Sequence, residues 1–155
     1  MQLDSDRLNR WLTLGANIGV LIGISLLLVE LNQNPTLMRG QTRNDVSSEL
    51  IGIMSQVANN PELADLMYRV ENGEQVTPQE MIQYRARQIT IIRYFENVFY
   101  QYRQGLYDES EYSAQREAWK DAWVQARHDF WCGYRATVSP DFRAEIDSLI
   151  TEYTC

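Results

Sequence analysis

The longest apolar stretch of the sequence lies near its N-terminus. The segment 11–29 reads WLTLGANIGVLIGISLLLV and holds no charged side chain, while Arg7, Arg10 and Glu30 flank it. A run of about 18 or more apolar residues is long enough to cross the hydrocarbon core of a bilayer as a helix. We therefore predict a transmembrane helix over residues 11–31.

A cleaved signal peptide is the alternative interpretation of this stretch. Signal peptides have shorter apolar cores, of about 7 to 15 residues, and end in small residues that suit a peptidase. Here the apolar run continues into LLLVELNQN, which contains no A-x-A-like site. We therefore expect the helix to remain as an anchor, preceded by an N-terminal tail at residues 1–10.

Beyond the span, the pattern of apolar and polar positions is helical. Each of the four prolines follows Asn, Thr or Ser, the pattern of a capping residue before the first helical position. At TPQE, Glu80 adds the reciprocal position of a capping box. No segment alternates with the two-residue period of a half-buried strand, so we predict an all-α fold. The predicted helices are 35–58, 61–70, 78–104, 111–134 and 140–152.

Two of these helices, 78–104 and 111–134, are long and carry most of the aromatic residues. In each helix a set of seam positions alternates four and three residues apart, the spacing of helices that pack at a shallow angle along a common seam. The seam positions are Met81, Arg85, Gln88, Ile92, Phe95, Phe99, Tyr102 and Leu106, facing Tyr112, Arg116, Trp119, Trp123, Ala126, Phe130 and Gly133. Because the turn between the helices is short, we expect an antiparallel hairpin.

The predicted architecture is thus an N-terminal transmembrane helix followed by an antiparallel helical bundle with this hairpin at its core. We place a stalk and the first bundle helix at residues 32–59 and the bundle domain at 60–155. The chain has 155 residues and a net charge of −7, with most of its charge outside the apolar stretch. An acidic domain repels a phosphate backbone, so we do not expect nucleic acid as a partner.

The transmembrane segment carries glycines at a regular spacing. Gly15, Gly19 and Gly23 share one stripe of the helix with Glu30, and Asn17 lies on nearly the opposite side, near Thr13. Small residues every four positions let helix backbones approach closely in lipid, and an asparagine there needs a polar partner. We interpret Gly15, Asn17, Gly19, Gly23 and Glu30 as transmembrane packing residues. The alternative is that glycine is simply common in membrane helices.

Glu96 lies at the edge of the apolar stripe of its helix, with Arg93 one turn before it. A carboxylate that faces an interior must be paired or neutralised. We expect Glu96 to form a structural ion pair, with Arg116 or Arg127 of the facing helix as further partners, rather than to act as an acid or base.

Residues suited to metal binding or catalysis are few. A carboxylate di-metal site in a bundle needs Glu-x-x-His pairs, but the one histidine, His128, has Gln125 three residues before it. The helical wheel places His128 opposite the aromatic seam, so we expect it to be exposed and not a ligand. Zinc-ligand spacing, phosphate-binding loops and nucleophile motifs are not evident. We expect no cofactor, no metal and no enzymatic activity.

The positions of charge and cysteine suggest an orientation. Arg7 and Arg10 lie close to the span, whereas the arginines on its other side lie farther away, which favours a cytoplasmic N-terminus. The domain would then lie where a disulfide persists, and Cys132 and Cys155 are candidates for one. A reactive thiol at Cys132, in FWCGYR, is the less favoured alternative to a packing or disulfide-bonded cysteine.

Several segments resemble a group of small single-span bacterial membrane proteins, many from marine bacteria, to which no function is assigned. The resemblance lies in RWLTLGANIGVLIGISLLLVELNQN, ENVFYQYRQGLYDE, a tryptophan-rich helix and YRATVSPDFRAEID, and it covers most of the chain. It implies a location in a bacterial inner membrane. No catalytic residue of that group carries over.

We therefore expect a non-enzymatic, membrane-anchored assembly or scaffold protein that self-associates through its transmembrane helix and its helical domain. Its partners would be the lipid bilayer and other copies of the chain. One alternative is an accessory subunit of a larger bacterial membrane complex, in which Thr13 and Asn17 face another protein. The other is a membrane-anchored ligand-sensing module.

Overall fold

The computed structural model describes the backbone of residues 2–153 and 155 and the side chains of 5–30, 35–153 and 155. Within these residues all regular structure is helical, which confirms the all-α class. The elements are α1 (Gln2–Ala58), α2 (Pro61–Glu71), α3 (Pro78–Arg103), α4 (Glu109–Asp121), α5 (Gln125–Tyr134), a 3₁₀ turn (Arg135–Thr137) and α6 (Pro140–Leu149). The chain divides into two compact units, Met1–Gly40 and Gln41–Cys155.

The first unit consists of the N-terminal part of α1. This helix is long and apolar enough to span a membrane, with a mean hydropathy of 2.2 over its most apolar window and none of that window buried. From residue 5 to residue 30 every side chain is exposed apart from the half-buried position of Gly23. The apolar side chains of residues 5–30 are therefore not covered by any other part of the chain that the structure describes.

The predicted helix start at Pro35 is wrong, because α1 continues through this residue. Proline has no N–H and its ring crowds the carbonyl one turn earlier, which costs a helix interior roughly 3 kcal/mol. The missing N–H removes only one backbone hydrogen bond from a helix of 57 residues, so the helix tolerates the proline. The other three predicted starts are confirmed, at Pro61, Pro78 and Pro140.

The predicted single helix 111–134 is two helices, separated at residues 122–124. Val124 is extended, with φ −132° and ψ 163°, and no glycine or proline marks the break. The guanidinium of Arg127 donates to the carbonyl of Ala122 at the end of α4. The indole of Trp123 packs edge-on against that of Trp131, with ring centroids 6.3 Å apart. Side-chain contacts across the break, and not a turn residue, therefore stabilise it.

The second unit has two buried clusters. The larger is aromatic and joins Val46 and Ile53 of α1 to α3, α4, α5 and α6, and the smaller consists of Leu66, Val70 and Tyr84. Between α3 and α4, Tyr102 stacks on Tyr112 and Phe95 stacks on Trp119, at centroid distances of 4.0 and 4.2 Å. From the first pair to the second, the residue number falls along α3 and rises along α4.

The expected seam of α3 is correct only in part. Gln88, Ile92 and Phe99 are buried as expected, whereas Met81 and Arg85 are exposed. The buried positions also include Tyr84, Arg87, Tyr94 and Val98. This wider buried surface arises because α2 and α5 also contact α3, in addition to α4.

The start of α3 has the capping box that the sequence predicts. Thr77 Oγ1 accepts from the N–H of Glu80 at 3.3 Å, and Glu80 Oε2 accepts from the N–H of Thr77 at 2.7 Å. Arg69 of α2 also donates to Glu80, at 2.6 Å. Hydrogen bonds from Arg69 and then from Thr77 lower the pKa of Glu80 from 4.5 to about 2.

The lowered pKa makes stability depend on acid. A carboxyl group whose pKa is lower in the folded than in the unfolded protein stabilises the fold above its unfolded pKa, and this stabilisation is lost as the pH falls. We expect Glu80→Gln to reduce the free energy of unfolding at neutral pH and to flatten its decline between pH 4.5 and 2. Urea unfolding followed by tryptophan fluorescence measures both. Glu74→Gln, at an exposed residue of the preceding loop, is the matched control and should retain the parent's slope. A Glu80→Gln protein with the parent's slope would contradict the role of this carboxylate.

Candidate functional site

The predicted transmembrane packing residues all lie on α1, and all of them except the half-buried Gly23 are exposed. A Cβ atom placed on Gly15, Gly19 or Gly23 meets nothing within 4 Å. Glu30 is exposed as well. Both the glycine stripe and its carboxylate are therefore open to contact from outside the chain.

The polar residues opposite the glycines differ from each other. Thr13 Oγ1 donates to the carbonyl of Asn9 at 2.9 Å, so its hydroxyl is satisfied within its own helix. The side-chain amide of Asn17 has no hydrogen bond to any residue that the structure describes, and Asn17 is exposed. Asn17 is therefore the residue on this side whose side chain is open to an external partner.

The ion pair expected at Glu96 is present with Arg93, but not with the facing helices. Arg93 Nη1 donates to Glu96 Oε2. The expected partners Arg116 and Arg127 bind other carboxylates: Arg116 lies 2.5 Å from Glu145, and Arg127 lies 2.8 Å from Glu71. The prediction of those two partners is wrong, because α2 and α6 place their own carboxylates against the arginines of α4 and α5.

Glu96 has a structural task beyond this pair. Its Oε1 accepts from the N–H of Ser139 at 2.8 Å, at the start of α6, where Ser139 itself makes no side-chain cap. Arg93 Nη2 donates to the carbonyl of Thr137 at 3.1 Å. The pair thus ties α3 to the connection that leads into α6.

Arg127 is held more tightly than a surface arginine. Its Nε and Nη2 both donate to Glu71 Oε1, at 3.0 and 2.8 Å, and its Nη1 donates to the carbonyl of Ala122. The side chains of Arg127 and Glu71 are only 19% and 22% exposed. This guanidinium therefore joins α2 to α5 and closes the end of α4.

Two buried side chains of α3 with polar groups, Tyr84 and Arg87, lie close to Arg127. Arg87 is 6% exposed, and its Nη1 donates to Gln56 Oε1 at 3.3 Å. Burial, and then the charge of Arg127, lower the pKa of Arg87. Burial also raises the pKa of Tyr84 to about 12. The sequence pattern pointed to Arg85 at this seam rather than to Arg87, because a strict four-three spacing passes over residue 87.

An open cleft of about 550 Å³ lies between α3 and the start of α6. Its charged lining residues include Arg93 with Glu96 and Arg103 with Asp141, the latter pair 2.6 Å apart. Since these charges are paired with one another, the cleft presents no free charge of one sign to a ligand.

The two cysteines and the histidine form a compact cluster. Cys132 and Cys155 are joined in a disulfide, with their Cα atoms 5.4 Å apart. His128 Nε2 lies 3.1 Å from Cys132 Sγ and 3.8 Å from Cys155 Sγ. The ring of Tyr153 stacks on the imidazole at a centroid distance of 5.0 Å.

The prediction that His128 is exposed is wrong, since the residue is 3% exposed. The error follows from the break before α5, which rotates this helix relative to a continuous helix 111–134. The sequence did hold one signal, because His128 and Cys132 are four residues apart and so share one face of a helix. The approach of Cys155 requires the turn after α6, where the N–H of Tyr153 donates to the carbonyl of Ile150 at 2.9 Å.

The tight binding of Arg127 can be tested by a substitution that keeps its charge. Lysine cannot reproduce the guanidinium fork, so we expect Arg127→Lys to lower the free energy of unfolding by about 1–3 kcal/mol. Urea unfolding of the full chain in detergent measures this loss. Arg103→Lys is the matched control, because the side chains of Arg103 and Asp141 are 51% and 67% exposed. An exposed pair contributes about 0–1 kcal/mol, and equal losses in the two variants would contradict the special position of Arg127.

Among the residues that the structure describes, His128, Cys132 and Cys155 are the group of potential metal ligands whose donor atoms all lie within 4.8 Å of one another. Two sulfurs and an imidazole nitrogen are donors that suit thiol chemistry or a thiophilic metal. No protein-family model, curated protein or solved structure matches this chain.

Proposed function

We propose that this protein is a membrane-anchored assembly protein without catalytic activity, which self-associates through α1 and through its helical domain. The observation that carries the proposal is the uncovered apolar part of α1. This part combines an open glycine stripe with an asparagine whose amide has no partner among the described residues. A helix that served only as an anchor would need neither of these two features.

The glycine stripe supports close helix packing. Between helices in lipid there is no hydrophobic gain, so association depends on close backbone approach and on interhelical hydrogen bonds. Gly15, Gly19 and Gly23 leave their side of the helix open, with nothing within 4 Å of the place that a methyl group would occupy. A second helix could therefore pack directly on the backbone there.

Asn17 supports a second contact on the other side. A polar side chain that faces lipid is costly unless another polar group meets it. Because Asn17 and the glycines lie on nearly opposite sides, one neighbour cannot satisfy both. A closed ring, in which the glycine side of one copy contacts the asparagine side of the next, satisfies every copy equally.

The helical domain would contribute contacts outside the membrane. We infer that it is an antiparallel bundle, which the opposed ring pairs of α3 and α4 support. Several of its large apolar side chains are exposed, including Ile51 at 66%, Met54 at 59% and Ile82 at 67%. Exposed apolar side chains mark a site that contacts another protein when they form one patch, and Ile51 and Met54, three residues apart, share one face of α1.

For location we propose a bacterial inner membrane, with a cytoplasmic N-terminus and a periplasmic domain. Arg7 and Arg10 next to the span support this orientation through the positive-inside rule. The pairing of Cys132 with Cys155 supports it independently, because disulfides persist in oxidising compartments such as the periplasm.

An accessory subunit of a larger membrane complex is the second candidate, and Asn17 is the observation that favours it. In that arrangement the amide would meet a polar group of a different protein. Purification from native membranes separates the two candidates. A single-band homo-oligomer supports self-assembly, whereas stoichiometric foreign chains support the accessory role.

The glycine contact predicts the effect of one substitution. Gly19→Leu places a branched side chain on the stripe, so we expect it to disperse the assembly in mild detergent. Light scattering coupled to size exclusion gives the protein mass of each particle. Ser25→Leu is the matched control, since it lies about 120° around the helix from Gly19 and its hydroxyl bonds only to Leu21 of the same helix among the described residues.

We expect Ser25→Leu to retain the parent's mass. A Gly19→Leu protein of the parent's mass would rule out the glycine contact. Asn17→Leu tests the other side: in a ring it also lowers the mass, whereas a dimer that uses only the glycine stripe keeps the same mass.

A further inference from the structure

The environment of His128 is unusual for a structural histidine. The residue is 3% exposed, and its Nδ1 has no hydrogen-bond partner among the residues that the structure describes. Its Nε2 faces the two sulfurs, at 3.1 and 3.8 Å. Buried polar atoms nearly always have a partner, so one without a partner calls for an explanation such as strain, a redox role or a bound water or ion. The described polar contacts of this imidazole are thus with the cysteines alone.

We propose that reduction of the Cys132–Cys155 disulfide releases a Zn²⁺ site made of both thiolates and the Nε2 of His128. The disulfide form blocks the site, because its sulfur atoms are bonded to each other. The dithiol form offers three ligands of the kinds that zinc prefers, two cysteine sulfurs and one imidazole nitrogen. The cluster would therefore bind metal in one redox state and not in the other.

The distances suit this assignment. Zinc bonds are about 2.3 Å to sulfur and about 2.0–2.1 Å to nitrogen, so tetrahedral ligands lie roughly 3.5 Å apart. The two sulfur-to-nitrogen distances already lie on either side of that value, at 3.1 and 3.8 Å. Opening the disulfide requires only that the two sulfurs separate. Cys155 can supply this movement because its side chain is exposed and it lies beyond the end of α6.

The reaction needs an external dithiol reductant. One of its thiolates attacks the sulfur of Cys155, which is exposed, and the thiolate of the half-buried Cys132 leaves. The second thiol of the reductant then displaces Cys155 and closes the reductant's own disulfide. Two electrons and two protons have passed to the protein, which holds two thiols. Zn²⁺ binding releases those two protons to solvent and takes the nitrogen lone pair of neutral His128.

The fourth position of the site would be open to water. Three protein ligands plus water is the arrangement of zinc sites that remain reactive, whereas structural zinc sites have four protein ligands. Within the described residues the group contains three potential ligands, and Cys155 is its exposed member. The ring of Tyr153 stacks on one face of the imidazole and holds it in place.

The test uses the full chain in detergent micelles, without a histidine tag, and divides one preparation into two samples. One sample is reduced with a phosphine under anaerobic conditions and desalted, and the other remains oxidised. Both are titrated with Co²⁺, whose thiolate charge-transfer bands report sulfur ligation, and then with Zn²⁺. We expect one Co²⁺ per chain in the reduced sample, displaced by Zn²⁺, and none in the oxidised sample. The oxidised sample is the control, because the chain is the same and only the sulfur ligands are blocked.

Two variants identify the ligands. His128→Phe keeps a ring to stack on Tyr153 but removes the nitrogen, and Cys155→Ser changes an exposed residue outside the core. We expect each reduced variant to bind Co²⁺ at least tenfold more weakly than the reduced parent. A thiol count of zero after air oxidation shows that the two cysteines of His128→Phe still meet. Equal Co²⁺ binding by the oxidised and reduced parent, or undiminished binding by either variant, would overturn the proposal.

Discussion

The packing of Trp131 is the contact on which the rest of the helical domain depends. This indole is fully buried, meets Trp123 edge-on at 6.3 Å and Phe142 at 6.2 Å, and donates from Nε1 to Asp147 at 3.0 Å. Phe142 and Asp147 lie on α6, and Trp123 lies in the break before α5. This one side chain thus fixes the position of α6 and stabilises the break between α4 and α5.

The cysteine and histidine cluster follows from this packing. His128 and Cys132 lie on the same helix as Trp131, so the rotation that buries the indole also sets the direction of these two side chains. Docking of α6 then determines where the final segment begins, and the turn at Ile150 brings Tyr153 and Cys155 back to α5. The candidate metal site is therefore a consequence of core packing and not of a local motif.

The helix α1 presents two different kinds of surface along its length. Its N-terminal part presents apolar side chains, three glycines and an asparagine that has no partner among the described residues, all without protein cover. Its C-terminal part supplies Val46 and Ile53 to the aromatic core, at 2% and 5% exposure. The first part is apolar enough to span a membrane, and the second buries apolar side chains in the core of the helical domain.

Features that depend on neighbouring residues can be predicted from the sequence. These features are the helical class, the apolar stretch of α1, the capping box at Thr77 and the helix starts at Pro61, Pro78 and Pro140. Each depends on residues within one or two helical turns. The tertiary structure alone decided the break at 122–124, the burial of His128 and the carboxylates that Arg116 and Arg127 bind. The last of these involve residues 29 and 56 positions apart, and the break is stabilised by burial of Trp123 against the core. Local periodicity carries no information about such partners, because they meet only when separate helices pack together.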